Sequence, residues 1–220
     1  DAQIRDAITP NMAHLWHHIG LAMHGGKRTR PALVNLGYRM VRDDADPRAL
    51  DIGCAFELLH TALVMHDDII DQDFIRRGQP TLSSHYRDAA LARGKSTAAA
   101  EHIGNAAALL AGDALIATAI QVLNAACTEL ANRERIVEVF HTAIQHSAAG
   151  ELDDVLFSAD LESASLDDVL CMHRLKTAAY SFEAPLVTGA LFGQASDDVV
   201  GQLSRLANLL GSCYQIIDDV

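Results

Sequence analysis

Aromatic side chains make up only 5% of this 220-residue chain, tryptophan occurs once and proline five times. Alanine and leucine dominate the hydrophobic half of the composition, which suits packed helices better than sheets. No segment alternates apolar and polar residues as a half-buried strand does, and there is no low-complexity tract or linker. Positive charge is scarce too: 17 Lys and Arg face 29 Asp and Glu, a net charge of −12. That balance argues against nucleic acid as a partner and requires any phosphate site to come from a local cluster of cations. Cys54, Cys127, Cys171 and Cys213 are far apart and form no CxxC pair, so they read as buried thiols of a cytoplasmic, reducing environment. The first residues show no signal-peptide pattern. The most membrane-like stretch, 103–127, is interrupted by Asn105 and Asp113. It is expected to be a buried helix of a large all-α core, with no membrane span.

What the chain does contain is a succession of helical patterns. Gly25 and Gly26 break the first of them, and Pro31 fits the first turn of a helix over about 31–42. After the turn "RDDADP" a helix of about twenty residues runs to an aspartate cluster. "RRGQPT" (76–81) reads as a loop, and further helices are expected near 97–130, 133–157, 167–176, 178–193 and 197–220. The economical reading is one all-α domain over 1–220, a single-domain bundle of long helices around a central cavity. The final pattern stops at "YQIIDDV" in mid-helix, so the sequence is expected to lack residues at its C-terminus, and at its N-terminus as well.

The acids are not spread evenly. Asp167-Asp168 and Asp197-Asp198 sit in expected first turns, where free N–H groups and the helix dipole favour carboxylates, so they read as caps. Asp218-Asp219 follow "SCYQII" inside a helix, where an apolar setting makes charge costly unless it is paired or bound to metal. Asp153-Asp154 also lie mid-helix and take second rank. In "MHDDIIDQD", Asp67 and Asp71 are four residues apart, so their carboxylates share one helix face about 40° apart. Two like charges at that spacing repel mildly and invite a cation. An oxygen-only set suits Mg2+, which keeps waters and bridges to substrate phosphates. The alternative is a solvated acidic turn. The cations form three local groups: Lys27, Arg28 and Arg30 in "GGKRTRP", Arg76-Arg77, and "LKT" at 175–177. A glycine-rich basic loop before a helix can approach phosphate closely, and arginine adds bidentate geometry.

Taken together, "GGKRTRP", "LLHTALVMHDDIIDQDFIRRGQPT", "LAGDAL", "KT" at 176–177 and "YQIIDD" resemble the trans-isoprenyl diphosphate synthases, or polyprenyl synthetases, over about 24–219. The likeness is to members of the geranylgeranyl diphosphate synthase kind. It implies the isoprenoid synthase fold, a homodimer, Mg2+ as cofactor, and isopentenyl diphosphate and an allylic prenyl diphosphate as substrates. By position, Asp67, Asp71 and Asp218 would bind metal, with Asp219 next to the last of them. Lys27, Arg30, His60 and Arg77 would hold isopentenyl diphosphate. Arg76, Lys176, Thr177 and Gln215 would serve the allylic diphosphate. Glu151 departs from the family pattern, which usually has glutamine there, whereas Asp154 keeps the acid that follows. The second acidic motif ends before its third aspartate.

Ionisation of an allylic diphosphate needs its leaving group neutralised, which two acidic clusters with Mg2+, Arg76 and Lys176 would supply. A class I terpene cyclase would share the metal but not need Lys27, Arg30 and Arg77. A non-catalytic partner subunit would be expected to lose metal acids that are present here. A ferritin-like carrier would want Glu-x-x-His pairs on its helices, and no convincing one stands out. The product tail is expected to run down the aspartate helix past Leu63 and Ala62, then toward Leu59 and Leu58, with Ile116 and Ile120 as walls. The small Ala62 leaves space, so a product of twenty carbons or longer is expected.

Overall fold

A computed structural model describes residues 2–218, apart from the side chains of Ala2, Ile216 and Asp218. The described chain is almost entirely helical: α1 (Ala2–Arg5), α2 (Pro10–Ala22), α3 (Thr29–Arg39), α4 (Arg48–Ile70), α5 (Leu82–Leu91), α6 (Thr97–Ala126), α7 (Arg133–Ser158), α8 (Leu166–His173), α9 (Ala184–Phe192) and α10 (Asp197–Asp218). Local chemistry sets several of the starts. Thr9 caps α2 by accepting from Met12 N, with Pro10 in the first turn, and Thr81 caps α5 by accepting from Ser84 N. Ser165 and Asp168 form a reciprocal capping box at α8. Asp167-Asp168 and Asp197-Asp198 lie in first turns, as their sequence context implies.

Three segments differ from the sequence expectation. The breaker-rich stretch 76–81 is a two-residue antiparallel pair, β1 (Ile75–Arg76) with β2 (Gln79–Pro80), rather than an open loop. Helix α5 follows it where none was expected. The two separate helices expected over 167–176 and 178–193 are continuous, because Arg174–Glu183 continues α8 as a π-helix and leads directly into α9.

The fold gathers into two compact units. One comprises the chain up to Lys27 together with Leu58–Ala119; the other comprises Arg28–Glu57 together with the chain from Ile120. In the first, Leu15 and Ile19 of α2, Ala62 and Met65 of α4, Leu82 of α5, and Ala108, Ala111 and Leu115 of α6 form a buried apolar cluster. Its alanines allow close helix approach. At Gly112 an added Cβ would strike the His66 ring, so the backbone of α6 lies directly against α4. The second unit is centred on Phe56 against Phe140, edge to face with ring centroids 5.0 Å apart, both fully buried. There α3 and α9 touch through reciprocal glycines. A Cβ on Gly37 would meet the Leu186 carbonyl, and one on Gly189 would meet the Val34 carbonyl and lie 3.0 Å from Tyr38 N.

By length and composition α4 and α6 could each cross a membrane, and 50% and 33% of their most apolar windows are buried in the fold.

Since neither backbone at the glycine crossing can yield cheaply, Gly189→Ala should overpack it and cost about 1–3 kcal/mol. Thermal or urea unfolding of the variant should show that loss, while Gly201→Ala, at a position with open space, should leave the midpoint unchanged or slightly raised.

Candidate active site

The first acidic group is built by the way α4 ends. Asp71 lies just past the last helical residue, yet its N–H still donates to the Asp67 carbonyl at 2.9 Å, so the two aspartates keep helical spacing. Gln72 then turns left-handed (φ 57°). Its N–H reaches Ile69 O at 3.3 Å, and Asp73 N reaches Asp68 O at 2.8 Å. These two bonds form a Schellman cap, with glutamine in the place usually taken by glycine. Three carboxylates therefore crowd the carbonyl end of a helix, where the dipole is already negative.

Arg76 answers that charge. The hairpin holds it: Arg77 (φ 52°) and Gly78 (φ 73°) both turn left-handed between β1 and β2, as a two-residue type I′ turn requires. The Ser84 hydroxyl donates to Phe74 O, and Thr81 N donates to the same carbonyl at 3.1 Å, anchoring the hairpin to the start of α5. From there the Arg76 guanidinium reaches Asp67 Oδ2 at 2.7 Å and, through Nε, Asp68 Oδ1. Asp68 is buried, and burial pushes its carboxyl up to about 6 even though Arg76 pulls the other way. Arg77 is exposed at the tip of the turn, and His60 is half-buried on α4 in the same unit. Lys27 is exposed beside Gly25 and Gly26, whose φ angles of 83° and 80° only glycine adopts readily.

The second unit holds two further cation groups. Arg28, left-handed at φ 51°, opens α3 and places Nη1 3.0 Å from Glu57 Oε2. Arg30 lies 3.6 Å from the other Glu57 oxygen, donates to Ser181 Oγ at 2.6 Å and stacks over Tyr180 at 5.1 Å. Gly53 makes this possible: a Cβ there would stand 2.7 Å from Pro31 Cα, so α3 starts directly against α4 and beside Glu57. The other group centres on Lys176 in the π-helical segment, whose Nζ lies 2.6 Å from Asp154 Oδ2 and 3.0 Å from Glu151 Oε2. The Ser147 hydroxyl donates to Lys176 O at 3.0 Å, and a Cβ on Gly150 would lie 2.7 Å from Lys176 Cα. The π-helical turn is thus pressed onto α7 at that residue. Thr177 and Gln215 are half-buried on the π-helical segment and α10.

Of the residues expected from sequence, the first unit brings together Asp67, Asp71 and Arg76 and also holds Lys27, His60, Arg77, Ala62 and Leu63. The second holds Arg30, Lys176, Thr177 and Gln215. Asp218 falls at the end of α10, and its side chain lies outside the described residues, as does Asp219. Glu57, Ser147 and Ser181 carried no expectation from sequence, and Asp68 counted only as part of the aspartate cluster. A lone glutamate in "FELLH" and two serines carry no local signal. Glu151, the departure from the family pattern, turns out to be a partner of Lys176. Among the described residues no three His, Cys, Asp or Glu side chains gather as a metal cage. The two helical carboxylates Asp67 and Asp71 fit Mg2+, which commonly takes one or two protein carboxylates and completes its shell with water and phosphate oxygens.

Burial raises the folded-state pKa of Asp68 above 3.8, so protonation favours the folded form. That contribution is complete below about 3.8 and lost as pH rises through about 6. In EDTA-containing buffers, the stability of the wild-type chain relative to Asp68→Asn should therefore fall across this window. A pH-independent difference between the two unfolding midpoints would contradict the assignment.

The sequence model of the polyprenyl synthetase family matches residues 14–220. A geranylgeranyl diphosphate synthase of Sulfolobus acidocaldarius is 34% identical over 198 residues, covering 89% of this chain and 54% of that protein. The Arabidopsis thaliana large subunit 1 of a heterodimeric geranylgeranyl pyrophosphate synthase is 31% identical, covering 89% of this chain and 50% of that one. The chain thus spans about half the length of these curated relatives. Among solved structures, geranylgeranyl pyrophosphate synthase from Corynebacterium glutamicum, complexed with isoprenyl diphosphate and magnesium, superposes with a TM-score of 0.90 at 25% identity, over 100% of this chain and 63% of that one. With a predominantly helical fold, an aspartate motif capped by an arginine hairpin, and a family match over nearly its whole length, the chain belongs to the polyprenyl synthetase family.

Proposed function

We propose that the protein is a Mg2+-dependent prenyltransferase. It joins isopentenyl diphosphate to an allylic prenyl diphosphate and releases diphosphate. The observation that carries this reading is that its cations are held ready against carboxylates in three groups: Arg76 on Asp67 and Asp68, Lys176 on Glu151 and Asp154, and Arg28 with Arg30 on Glu57. Cations so placed can exchange carboxylate oxygens for phosphate oxygens at modest cost, since one anionic partner replaces another.

Asp67 and Asp71, together with Asp218, are the residues that would hold Mg2+. Bound there, Mg2+ would neutralise the charge that develops on a departing diphosphate. The Arg76 fork and the Lys176 ammonium are assigned to the allylic diphosphate, with Thr177 and Gln215 adding polar contacts. Lys27, Arg30, His60 and Arg77 are assigned to isopentenyl diphosphate. In the reaction the allylic C–O bond breaks, a C–C bond forms to the isopentenyl double bond, and one proton leaves with the released diphosphate as its acceptor. Apolar residues of α4 keep water from the carbocation.

The two units are read as one isoprenoid synthase domain, because the family match runs through both. Helices α4 and α6 are read as helices of that domain rather than membrane spans, and the protein as a cytoplasmic homodimer. Ala62, fully buried against the apolar cluster with Ala108 and Ala111, and the half-buried Leu63 are read as setting product length. The small Ala62 favours twenty carbons or longer.

Incubation of the purified full-length protein with Mg2+, labelled isopentenyl diphosphate and a set of allylic starters tests the reading. Geranylgeraniol or a longer alcohol should dominate after dephosphorylation, and EDTA should abolish turnover. Turnover surviving in EDTA sinks the proposal. Ala62→Phe should shorten the product, whereas an unchanged distribution in a folded variant would place the chain-length stop elsewhere. Arg30→Lys keeps a charge beside Glu57 but loses the fork. It should raise KM for isopentenyl diphosphate about tenfold, the equivalent of about 1.4 kcal/mol. Lys176→Met should instead lower kcat. Identical effects of both changes on both substrates would argue against two diphosphate sites.

A further inference from the structure

The sequence "HLWHH" on α2 is used by none of this chemistry, yet it builds an ordered cluster. His14 and His18 are one turn apart, and their Nε2 atoms approach to 3.3 Å. The His85 ring of α5 lies tilted 4.8 Å from that of His18, and the Tyr86 hydroxyl is 3.4 Å from His14 Nδ1. We propose that His14 and His18 form a two-imidazole chelate for a borderline transition-metal ion of the Zn2+ class, separate from the aspartate site.

The geometry supports this in two ways. Two nitrogens bound at about 2.0–2.1 Å to one tetrahedral ion stand about 3.3–3.4 Å apart, and the imidazole pair already has that spacing. Ligation through Nε2 also puts the His14 proton on Nδ1, facing the Tyr86 oxygen. Metal-bound histidines commonly have such an outer hydrogen-bond partner. His18 is already deprotonated at neutral pH: burial, with help from His14, His85 and His17, holds its pKa near about 4. Its Nδ1 is buried with no hydrogen-bond partner, so one of the two ligands lacks outer support. The remaining coordination positions go to water, because no third metal-ligating side chain among the described residues completes a cage. These features fit affinity in the micromolar range rather than a permanent structural metal. Imidazole also separates this site chemically from the carboxylate set, since Mg2+ prefers oxygen and Zn2+ accepts nitrogen readily. Both ligands sit on α2, so the ion would clamp one turn of that helix.

Zn2+ titrated calorimetrically into the Zn2+-free chain, in buffer containing saturating Mg2+, tests the site. One Zn2+ per chain should bind at these ligands, and its affinity should fall at least about tenfold in His14→Ala and in His18→Ala. His17→Ala should bind as the wild type does. Circular dichroism shows whether each variant is folded. Independently of any variant, amide hydrogen exchange across α2 should slow when Zn2+ is added. Equal Zn2+ affinity in wild type, His14→Ala and His18→Ala overturns the proposal, as does exchange in α2 that Zn2+ leaves unchanged.

Discussion

Three carboxylates at the carbonyl end of α4 are the constraint on which the rest of the candidate site depends. The helix dipole opposes them, they repel one another, and Asp68 is buried besides. Without a cation that helix end would be among the least stable parts of the chain. The hairpin that follows delivers Arg76 to the place where charge is needed, and its turn, the anchoring of Phe74 O and the cap of α5 all serve that delivery. The same logic recurs in the second unit, where Glu57 stands between Arg28 and Arg30, and Lys176 between Glu151 and Asp154. A chain of net charge −12 thus concentrates its few cations against particular acids.

How such cations are presented is as telling as what they touch. Arg28 and Arg77 both adopt left-handed backbone, which side chains other than glycine visit reluctantly. Each stands beside a glycine-containing turn, Arg77 next to the paired Arg76 and Arg28 sharing Glu57 with Arg30. Backbone strain at two basic loops is tolerated only where surrounding structure fixes it, and it is common at ligand-binding positions.

Much of this was legible from residue spacing. Asp67 and Asp71 share a face because helical periodicity continues through them, and the capping role of Asp168 follows from its place after Ser165, whereas Asp197, although in a first turn, pairs with Arg135 and leaves the capping contact to Ser196. Helices α4, α6, α7 and α10 were marked by long apolar patterns bounded by breakers. What escaped was non-local. Glu57 gains its meaning from Arg28 and Arg30 across 29 and 27 positions of chain, and nothing in "FELLH" announces a buried acid. The hairpin was missed because strands of two residues have no periodicity; the better clue was Arg-Gly as a turn with two positive φ angles. The π-helical segment was not legible because nothing in "LKT" marks a widened turn, which is held by Gly150 and Ser147 of another helix.

That widened turn also sets the angular phase of everything after it. A π-helix carries more residues per turn than an α-helix, so Lys176 faces α7 while Gly189, further along the same continuous rod, faces α3. Taking out a single residue between them would leave a respectable helix but rotate one face against the other by about a quarter of a turn. The lysine or the glycine would then point the wrong way. Substitution within Arg174–Glu183 is therefore a question of side chains, whereas a one-residue deletion there is a question of gearing, and the length of this segment should prove less free to drift than its composition.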